Sequence, residues 1–365
     1  MRKRVVVAMS GGVDSSVAAC LLKEQGYEVI GATMLIRKGE KAKDPLDGCG
    51  APHVEDARQV AQQIEIPFYV FNLEEEFERE VIQYFCDEYG KGRTPNPCVL
   101  CNQKVKFGAF SKKALELEAG YISTGHYARL EYDEMARRTL LKKGLDRKKD
   151  QSYVLFSLKQ NQFQRALFPL GEYKKEEVRR KAHELGLRVH DKPESQEVCF
   201  IEEDSYHPFL KDRLKGAVGP GPILDRSGER LGTHKGVPFY TIGQRRGLGL
   251  AKGVPLYVIG IDREKNAIIV GEEKDVFADT FIVDSLNWIV TPHEKTFPPA
   301  QVKIRYNHPG SDAVLSWTGD DEVEVKFNIP QKAITPGQAA VFYDGDTVLG
   351  GGWIREVIKS DEVMG

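Results

Sequence analysis

The apolar run Val5-Val6-Val7-Ala8 is followed by Met9-Ser10-Gly11-Gly12-Val13-Asp14-Ser15-Ser16 and then by a helical pattern. A strand, a glycine turn rich in hydroxyls and a helix N-terminus, in that order, make a phosphate site. Gly11 and Gly12 carry no Cβ, so the backbone can turn sharply and bring its N–H groups close to an anion. The helix that starts near Asp14 adds unsatisfied N–H groups and the positive end of its dipole. Ser10, Ser15 and Ser16 can donate further hydrogen bonds to phosphate oxygens. The segment has no lysine, so it is not the common Gly-x-x-x-x-Gly-Lys-Ser/Thr loop. An aspartate at this point repels the anion unless a divalent cation lies between them, which makes Asp14 a candidate Mg2+ contact. An ordinary βα turn would explain a lone pair of glycines; eight such residues in a row are far more specific.

At 365 residues the chain has room for two or three domains. Hydrophobic content of 41 % and charged content of 29 % describe a soluble globular protein. No apolar run approaches the roughly 20 residues that a membrane span needs. Met1-Arg2-Lys3-Arg4 leads into only about five apolar residues, too few for a secretory signal. The expectation is a cytoplasmic protein. Net charge is 52 minus 54, or −2, so no global positive field announces a nucleic acid. Residues 135–150 nevertheless hold seven basic side chains (Arg137, Arg138, Lys142, Lys143, Arg147, Lys148 and Lys149), which read equally well as a solvated face or as an RNA contact. The seven acidic residues of 74–88 read as the solvated face of a helix.

The first 125 residues alternate strands (5–9, 28–34, 68–72, 121–123) with helices (16–24, 53–63, 74–89, and one from Lys106 to about Glu118). That alternation predicts a doubly wound, mostly parallel α/β sheet with ligands at the carboxyl ends of its strands. Residues 160–187 read as helical again. After about Pro208, Gly and Pro become dense and short alternating runs follow, at 256–261, 267–270, 281–283, 301–306, 313–317, 322–327, 339–343 and 348–353. These predict a small β-barrel. The expected organisation is an ATP-binding domain over 1–207, a small linking domain over 208–278 and a C-terminal barrel over 279–360.

Six cysteines occur, which in a cytosolic chain do not form a structural disulfide framework. Cys20 and Cys86 lie in apolar patterns and read as small core residues. In Arg93-Thr94-Pro95-Asn96-Pro97-Cys98-Val99-Leu100-Cys101-Asn102 the prolines are expected to fix a loop with Cys98 and Cys101 at its rim. Structural zinc would call for a second close Cys or His pair, which the sequence lacks. A redox pair is open, although prolines flank it rather than fill it. Cys199 lies in Ser195-Gln196-Glu197-Val198-Cys199-Phe200-Ile201, and spacing alone does not bring it to Cys101.

The SGGVDS segment matches the loop of the ATP-pyrophosphatase (PP-loop, adenine nucleotide hydrolase-like) family. Taken in order with the 93–102 segment, Thr124-Gly125-His126-Tyr127, Lys149-Asp150-Gln151-Ser152, 195–201, Thr241-Ile242-Gly243-Gln244-Arg245-Arg246-Gly247-Leu248-Gly249 and Thr335-Pro336-Gly337-Gln338, it closely resembles the bacterial tRNA-specific 2-thiouridylases. The resemblance covers essentially the whole chain. It implies adenylation of the C2 oxygen of the wobble uridine in tRNAs for Lys, Glu and Gln, followed by replacement of that oxygen with sulfur. It also implies that Cys101 is the nucleophile, that Cys199 carries sulfur as a persulfide, and that the two close a disulfide after transfer. ATP contacts carry over as Ala8, Met9, Ser10, Gly11, Gly12, Val13, Asp14, Ser15, Ser16, Met34 and Gly125. The target base falls to Asn96, Pro97 and Cys98, and tRNA to His126, Lys149, Asp150, Gln151, Arg305, Tyr306 and Gln338. His126 by itself reads as a structural histidine. A cysteine desulfurase or persulfide carrier is implied as sulfur donor, and a monomer as the acting form.

Many members of that family have Asp where this chain has Cys98. A thiol is a weaker proton-transfer partner near neutral pH than a carboxylate. It also creates a set of three cysteines, Cys98, Cys101 and Cys199, which with one open iron would suit a 4Fe–4S cluster as a second way of handling sulfur. Amidating enzymes of the same ATP family have no use for three motif-placed cysteines. A non-catalytic tRNA-binding module has no need of an activated thiol.

Overall fold

The computed structural model describes residues 3–37, 52–193, 198–201, 205–214, 218–250, 253–291, 297 and 299–358. Cys49 and residues 195–197 lie outside them. The chain divides into two compact units. The first is Met1–Val81, Cys98–Phe200 and Asp346–Val348; the second is Ile82–Pro97, Ile201–Gly345 and Leu349–Gly365.

In the first unit the chain runs β1 (Arg4–Ala8), α1 (Val13–Glu24), β2 (Glu28–Leu35), α2 (Pro52–Gln63), β3 (Phe68–Asn72) and α3 (Glu74–Phe77). A π-helical stretch, Glu78–Ile82, continues α3 into α4 (Gln83–Gly90), which belongs to the second unit. Next come α5 (Pro97–Leu100), a second π-helical stretch, Cys101–Ala109, and α6 (Phe110–Glu116). They lead to β4 (Tyr121–Ser123), the hairpin β5 (Ala128–Asp133) and β6 (Arg138–Lys143), α7 (Gln160–Phe163), β7 (Ala166–Leu167) and α8 (Lys175–Glu184). The sheet order is β3-β2-β1-β4-β7, with every pair parallel. Val5, Val6 and Val7 of the central strand are fully buried, as a strand covered on both faces requires. Val17, Ala18, Cys20 and Leu21 of α1 share one core with Val178 and Ala182 of α8. The doubly wound sheet expected from the alternation is therefore present. Its order reverses between β1 and β4, and that crevice is where open α/β sheets hold ligands.

Three local expectations are corrected. Cys98 and Cys101 do not sit on a loop: Pro97 is the first residue of α5, a position where its missing N–H costs nothing and its fixed φ suits the helix. The helix expected from Lys106 thus begins nine residues earlier, at Pro97. Residues 160–187 are not continuously helical, because the short strand β7 intervenes and adds an edge to the sheet. The basic run 135–150 is no helix face either: its first half forms the turn and second strand of the β5–β6 hairpin.

In the second unit α9 (His207–Arg213) precedes β8 (Gly221–Leu224), β9 (Arg230–His234), β10 (Tyr257–Asp262) and β11 (Ala267–Gly271), which form a four-stranded sheet of order β10-β11-β8-β9. Then come β12 (Phe277–Trp288), β13 (Ala300–Lys303), β14 (Ser311–Gly319), β15 (Glu322–Lys332), β16 (Ala339–Asp344) and β17 (Thr347–Ile358). They pair in the order β12-β15-β14-β13-β16-β17, and β17 pairs back to β12, which closes a six-stranded barrel without free edges. Alternate residues of β14 and β15 point inward, and Phe281, Val302, Val325, Phe342 and Ile354 fill the interior.

All three tryptophans, Trp288, Trp317 and Trp353, lie on barrel strands, so tryptophan fluorescence reports chiefly on the barrel. Phe281 is 0 % exposed and its ring packs 5.5 Å from Phe327. Phe281→Ala is expected to lower barrel stability by about 3–5 kcal/mol, seen as a fluorescence transition moved to lower urea. A shift below about 1 kcal/mol would contradict this account of the barrel core.

Candidate active site

The glycine-rich loop is pinned at its base. The Met9 N–H donates to Ala32 O at 2.8 Å, and Thr33 Oγ1 donates to Met9 O at 2.7 Å. Gly12 caps α1 with extended backbone and no side-chain hydrogen bond, so the first N–H groups of the helix are not satisfied by a capping side chain. Ser15 Oγ accepts from Ser10 N at 3.1 Å and donates to Gly12 O at 3.2 Å, which curls the loop over the helix start. Ser16 Oγ also donates to Gly12 O, at 2.9 Å. Gly11 has φ +69°, and a Cβ on it would fall 2.3 Å from His53 O. From the other side of the crevice, a Cβ on Gly125 would lie 2.9 Å from both Asp14 C and Ser15 N. Glycine is the residue that lets the end of β4 meet the start of α1. Ala8, Met9, Ser10, Gly11, Gly12, Val13, Asp14, Ser15, Ser16, Met34 and Gly125 thus come from the carboxyl ends of β1, β2 and β4 and from the start of α1.

Charge at this loop is supplied from far away in sequence. Lys175 Nζ donates to Asp14 Oδ1 at 2.7 Å and Oδ2 at 2.8 Å, and Tyr127 Oη donates to Oδ1 at 2.8 Å. Lys192 Nζ donates to Gly11 O at 3.0 Å and to Asp56 Oδ2 at 2.5 Å. Both oxygens of Asp14, the expected Mg2+ contact, are therefore engaged by the Lys175 ammonium.

The Lys149–Gln151 segment supports the same corner. Gln151 Oε1 accepts from Tyr127 N at 3.0 Å and Gln151 N donates to Tyr127 O at 2.9 Å, which fixes the tyrosine that holds Asp14. Asp150 is buried, and its carboxylate accepts from Gly144 N, Ser152 N and Ser152 Oγ, all between 3.0 and 3.1 Å. Lys149 is half-buried. His126 is buried against Phe107 and Phe168, with Nδ1 2.6 Å from Thr124 Oγ1. Burial, and then Lys106, hold its pKa well below the usual histidine range. The side chains of His126 and Asp150 are both buried, and each supports the surrounding structure from beneath.

The three thiols lie near enough to influence one another electrostatically. Cys98 lies in α5 and Cys101 opens the π-helical stretch. The widened turn is braced by side chains: Asn102 Nδ2 donates to Val154 O, Gln103 Nε2 to Ser157 O, and Gln162 Nε2 to the carbonyls of Gln103 and Phe107. Cys199 is brought up by Arg37, whose guanidinium donates to Cys199 O, and by Phe200, whose ring packs 5.7 Å from Phe77. Cys101 is buried, while Cys98 and Cys199 are exposed. Burial, with smaller contributions from the neighbouring Cys199 and Cys98, pushes the Cys101 thiol up to about 12. Cys98 and Cys199 are also raised, mainly by desolvation. Lys106 opposes the rise at all three. It stands five residues after Cys101, one turn of a π-helix, and among the described residues it forms no ion pair. All five described cysteines are free thiols. As placed, the three site thiols do not suit an iron–sulfur cluster: among the described residues no three His, Cys, Asp or Glu side chains are arranged to hold one metal ion.

In the second unit, Gln338 Nε2 donates to Thr94 O at 3.0 Å and Pro95 O at 2.9 Å, so it braces the backbone that leads into Asn96 and Pro97. Arg305 and Tyr306 are exposed in the turn after β13, which ends at Lys303 rather than running to Tyr306. Arg305 Nη1 donates to Lys332 O at 3.0 Å. Sequence reasoning missed Tyr127, Lys175, Lys192 and Lys106 as parts of the site. Tyr127 lies within a recognised motif and Lys106 just after one, and neither is marked by residue type.

Residues 3–203 match the family described as tRNA methyl transferase HUP domain, 207–272 its PRC-barrel domain, and 278–354 the aminomethyltransferase beta-barrel domain. A tRNA-specific 2-thiouridylase of Halothermothrix orenii is 52 % identical over 358 residues, 97 % of this chain and 99 % of that one. One from Caldanaerobacter subterraneus subsp. tengcongensis is 52 % identical over 362 residues, 98 % of this chain and 100 % of that one. One from Carboxydothermus hydrogenoformans is 51 % identical over 358 residues, 97 % and 98 % of the two chains. With half of its residues shared along almost its entire length, the chain belongs to the tRNA-specific 2-thiouridylase family.

Proposed function

We propose that this protein uses ATP to adenylate the C2 oxygen of the wobble uridine in tRNAs for Lys, Glu and Gln, and then replaces that oxygen with sulfur. The observation that carries the proposal is the presence, in one compact unit, of the phosphate loop and of three thiols within electrostatic reach of Lys106. Oxygen is a poor leaving group from a uracil carbonyl. In the first step its lone pair attacks the α-phosphorus of ATP, and pyrophosphate leaves with the electron pair of the broken P–O bond. The Ser10–Ser16 loop orients the phosphates through its N–H groups and hydroxyls.

In the second step the terminal sulfur of a persulfide on Cys199 attacks C2, and AMP departs with the former uracil oxygen. The Cys101 thiolate then attacks the Cys199 sulfur. The S–S bond breaks toward the base, leaving 2-thiouridine and a Cys101–Cys199 disulfide, which an external thiol reduces. A cysteine desulfurase or persulfide carrier reloads Cys199. Asn96, Pro97 and Cys98 border the target base, Arg305 and Tyr306 contact the tRNA, and one monomer acts on one tRNA. Before tRNA binds, burial keeps Cys101 in its thiol form, which shields it from adventitious oxidation.

Incubation with ATP, a persulfide donor and tRNA-Glu should yield AMP and thiolated uridine. Cys101→Ser and Cys199→Ser should each lower thiolation at least ~100-fold while pyrophosphate release in a single turnover persists. Cys98→Ser should keep most of the thiolation; a loss as deep as that of Cys101→Ser would contradict the two-thiol division of labour.

Because the pKa values of Cys98 and Cys199 are raised, the neutral thiol is favoured and the thiolate fraction keeps growing with pH up to that raised value. Their alkylation by iodoacetamide, followed by peptide mass spectrometry, should rise about tenfold per pH unit from pH 7 to pH 9 without levelling. A plateau below pH 8 would contradict the resting thiol state.

A further inference from the structure

Lys175 breaks a local rule. It is the first residue of α8, at the positive end of the helix dipole, where acidic residues such as its neighbours Glu176 and Glu177 are favoured and a cation is not. It is also buried, with a side chain only 9 % exposed. Its backbone N–H is taken by Asp146 Oδ2 at 2.9 Å, a contact that fixes the helix start in place. Its ammonium reaches across to both oxygens of Asp14, inside the glycine-rich loop. From elsewhere on the same loop, Lys192 bridges Gly11 O and Asp56. A sequence position that violates helix electrostatics and is compensated by the carboxylate of a phosphate loop points to function rather than to stability.

We propose that Lys175 and Lys192 are the cations that this lysine-free loop lacks, and that they contact the β- and γ-phosphates of ATP and the departing pyrophosphate. The proposal rests on the reading of this loop as an ATP site. Without nucleotide, Asp14 stores Lys175 at the loop. When the triphosphate enters, the flexible four-carbon stem lets the ammonium move from the carboxylate toward phosphate oxygens. As the uracil oxygen bonds to the α-phosphorus and the bridging P–O bond breaks, pyrophosphate leaves with that electron pair. The two lysines supply charge to it and transfer no proton. Asp14 thereby serves as the holder of a phosphate ligand.

Calorimetric titration of the full chain with ATP, AMP and inorganic pyrophosphate tests this. In Lys175→Met and Lys192→Met, affinity for ATP and for pyrophosphate should fall at least about tenfold while affinity for AMP stays within about threefold, and Lys175→Arg should recover part of the loss. Equal losses for ATP and AMP, or no loss, overturn the inference when the unsubstituted protein binds ATP. If the unsubstituted protein binds no ATP, the ATP reading itself fails and the inference goes with it. Lys175→Met leaves the Asp14 carboxylate without its cation, so Lys175→Met/Asp14→Asn separates folding from binding. A restored melting temperature, with AMP affinity kept and ATP affinity still weakened, supports the phosphate role. Restoration of ATP affinity overturns it, since Lys175 would then serve only to neutralise Asp14.

Discussion

A loop shaped to hold phosphate cannot tolerate an uncompensated carboxylate at its centre, and Asp14 is that carboxylate. Its compensation organises the first unit. Lys175 ties the start of α8 to the start of α1, Tyr127 ties in the segment that follows β4, and Gln151 clamps Tyr127 by its backbone. Residues 14, 127, 151 and 175 become one polar cluster beside the point where the sheet order reverses. Groups of this kind gain from the lowered local dielectric only while every member is paired, so the cluster fixes geometry as well as charge. The close approach of Gly125 to the backbone of Asp14 and Ser15 completes it, because no larger residue fits between β4 and α1.

The sulfur side follows a different logic. Asp14 is ion-paired with Lys175, whereas desolvation favours the neutral form of the thiols, most strongly at the buried Cys101, with Lys106 pulling against it at all three. A thiol kept protonated is unreactive, and the nearby Lys106 ammonium acts in the direction of the reactive thiolate. Placing Cys98 and Cys101 on a helix that opens at Pro97, with the chain braced through Asn102, Gln103 and Gln162, gives them fixed positions. Cys199 is held mainly through its backbone carbonyl and its neighbour Phe200, an arrangement that leaves its sulfur exposed to a donor.

The loop, the parallel sheet and the barrel were legible in the sequence because each writes a local signal: the Val5–Ala8 run before glycines, strand–helix alternation, and short alternating strands between turns. The start of the thiol-bearing helix was misread because proline suggests a loop, whereas at the first helical position it is well suited. The hairpin β5–β6 was hidden by its charges, which mask the alternation of Leu141 and Thr139 on its buried face. The π-helical stretch leaves no pattern, since its bracing comes from Gln162 some 60 residues away. Lys175 and Lys192 were invisible for the same reason: their partners lie 161 and 181 residues distant, and only the folded sheet brings them to the loop. His126 and Asp150 stand in recognisable motifs, yet a motif does not say whether a side chain faces a ligand or holds the wall behind it.

The central claim is that ATP serves to turn the uracil C2 oxygen into a leaving group. It is tested most directly by following that oxygen. With tRNA carrying 18O at C2 of the target uridine, a sulfur donor and unlabelled ATP, the account expects each AMP released during thiolation to carry one 18O on its phosphate. AMP free of label, with 18O found in water or still in the tRNA, would contradict it.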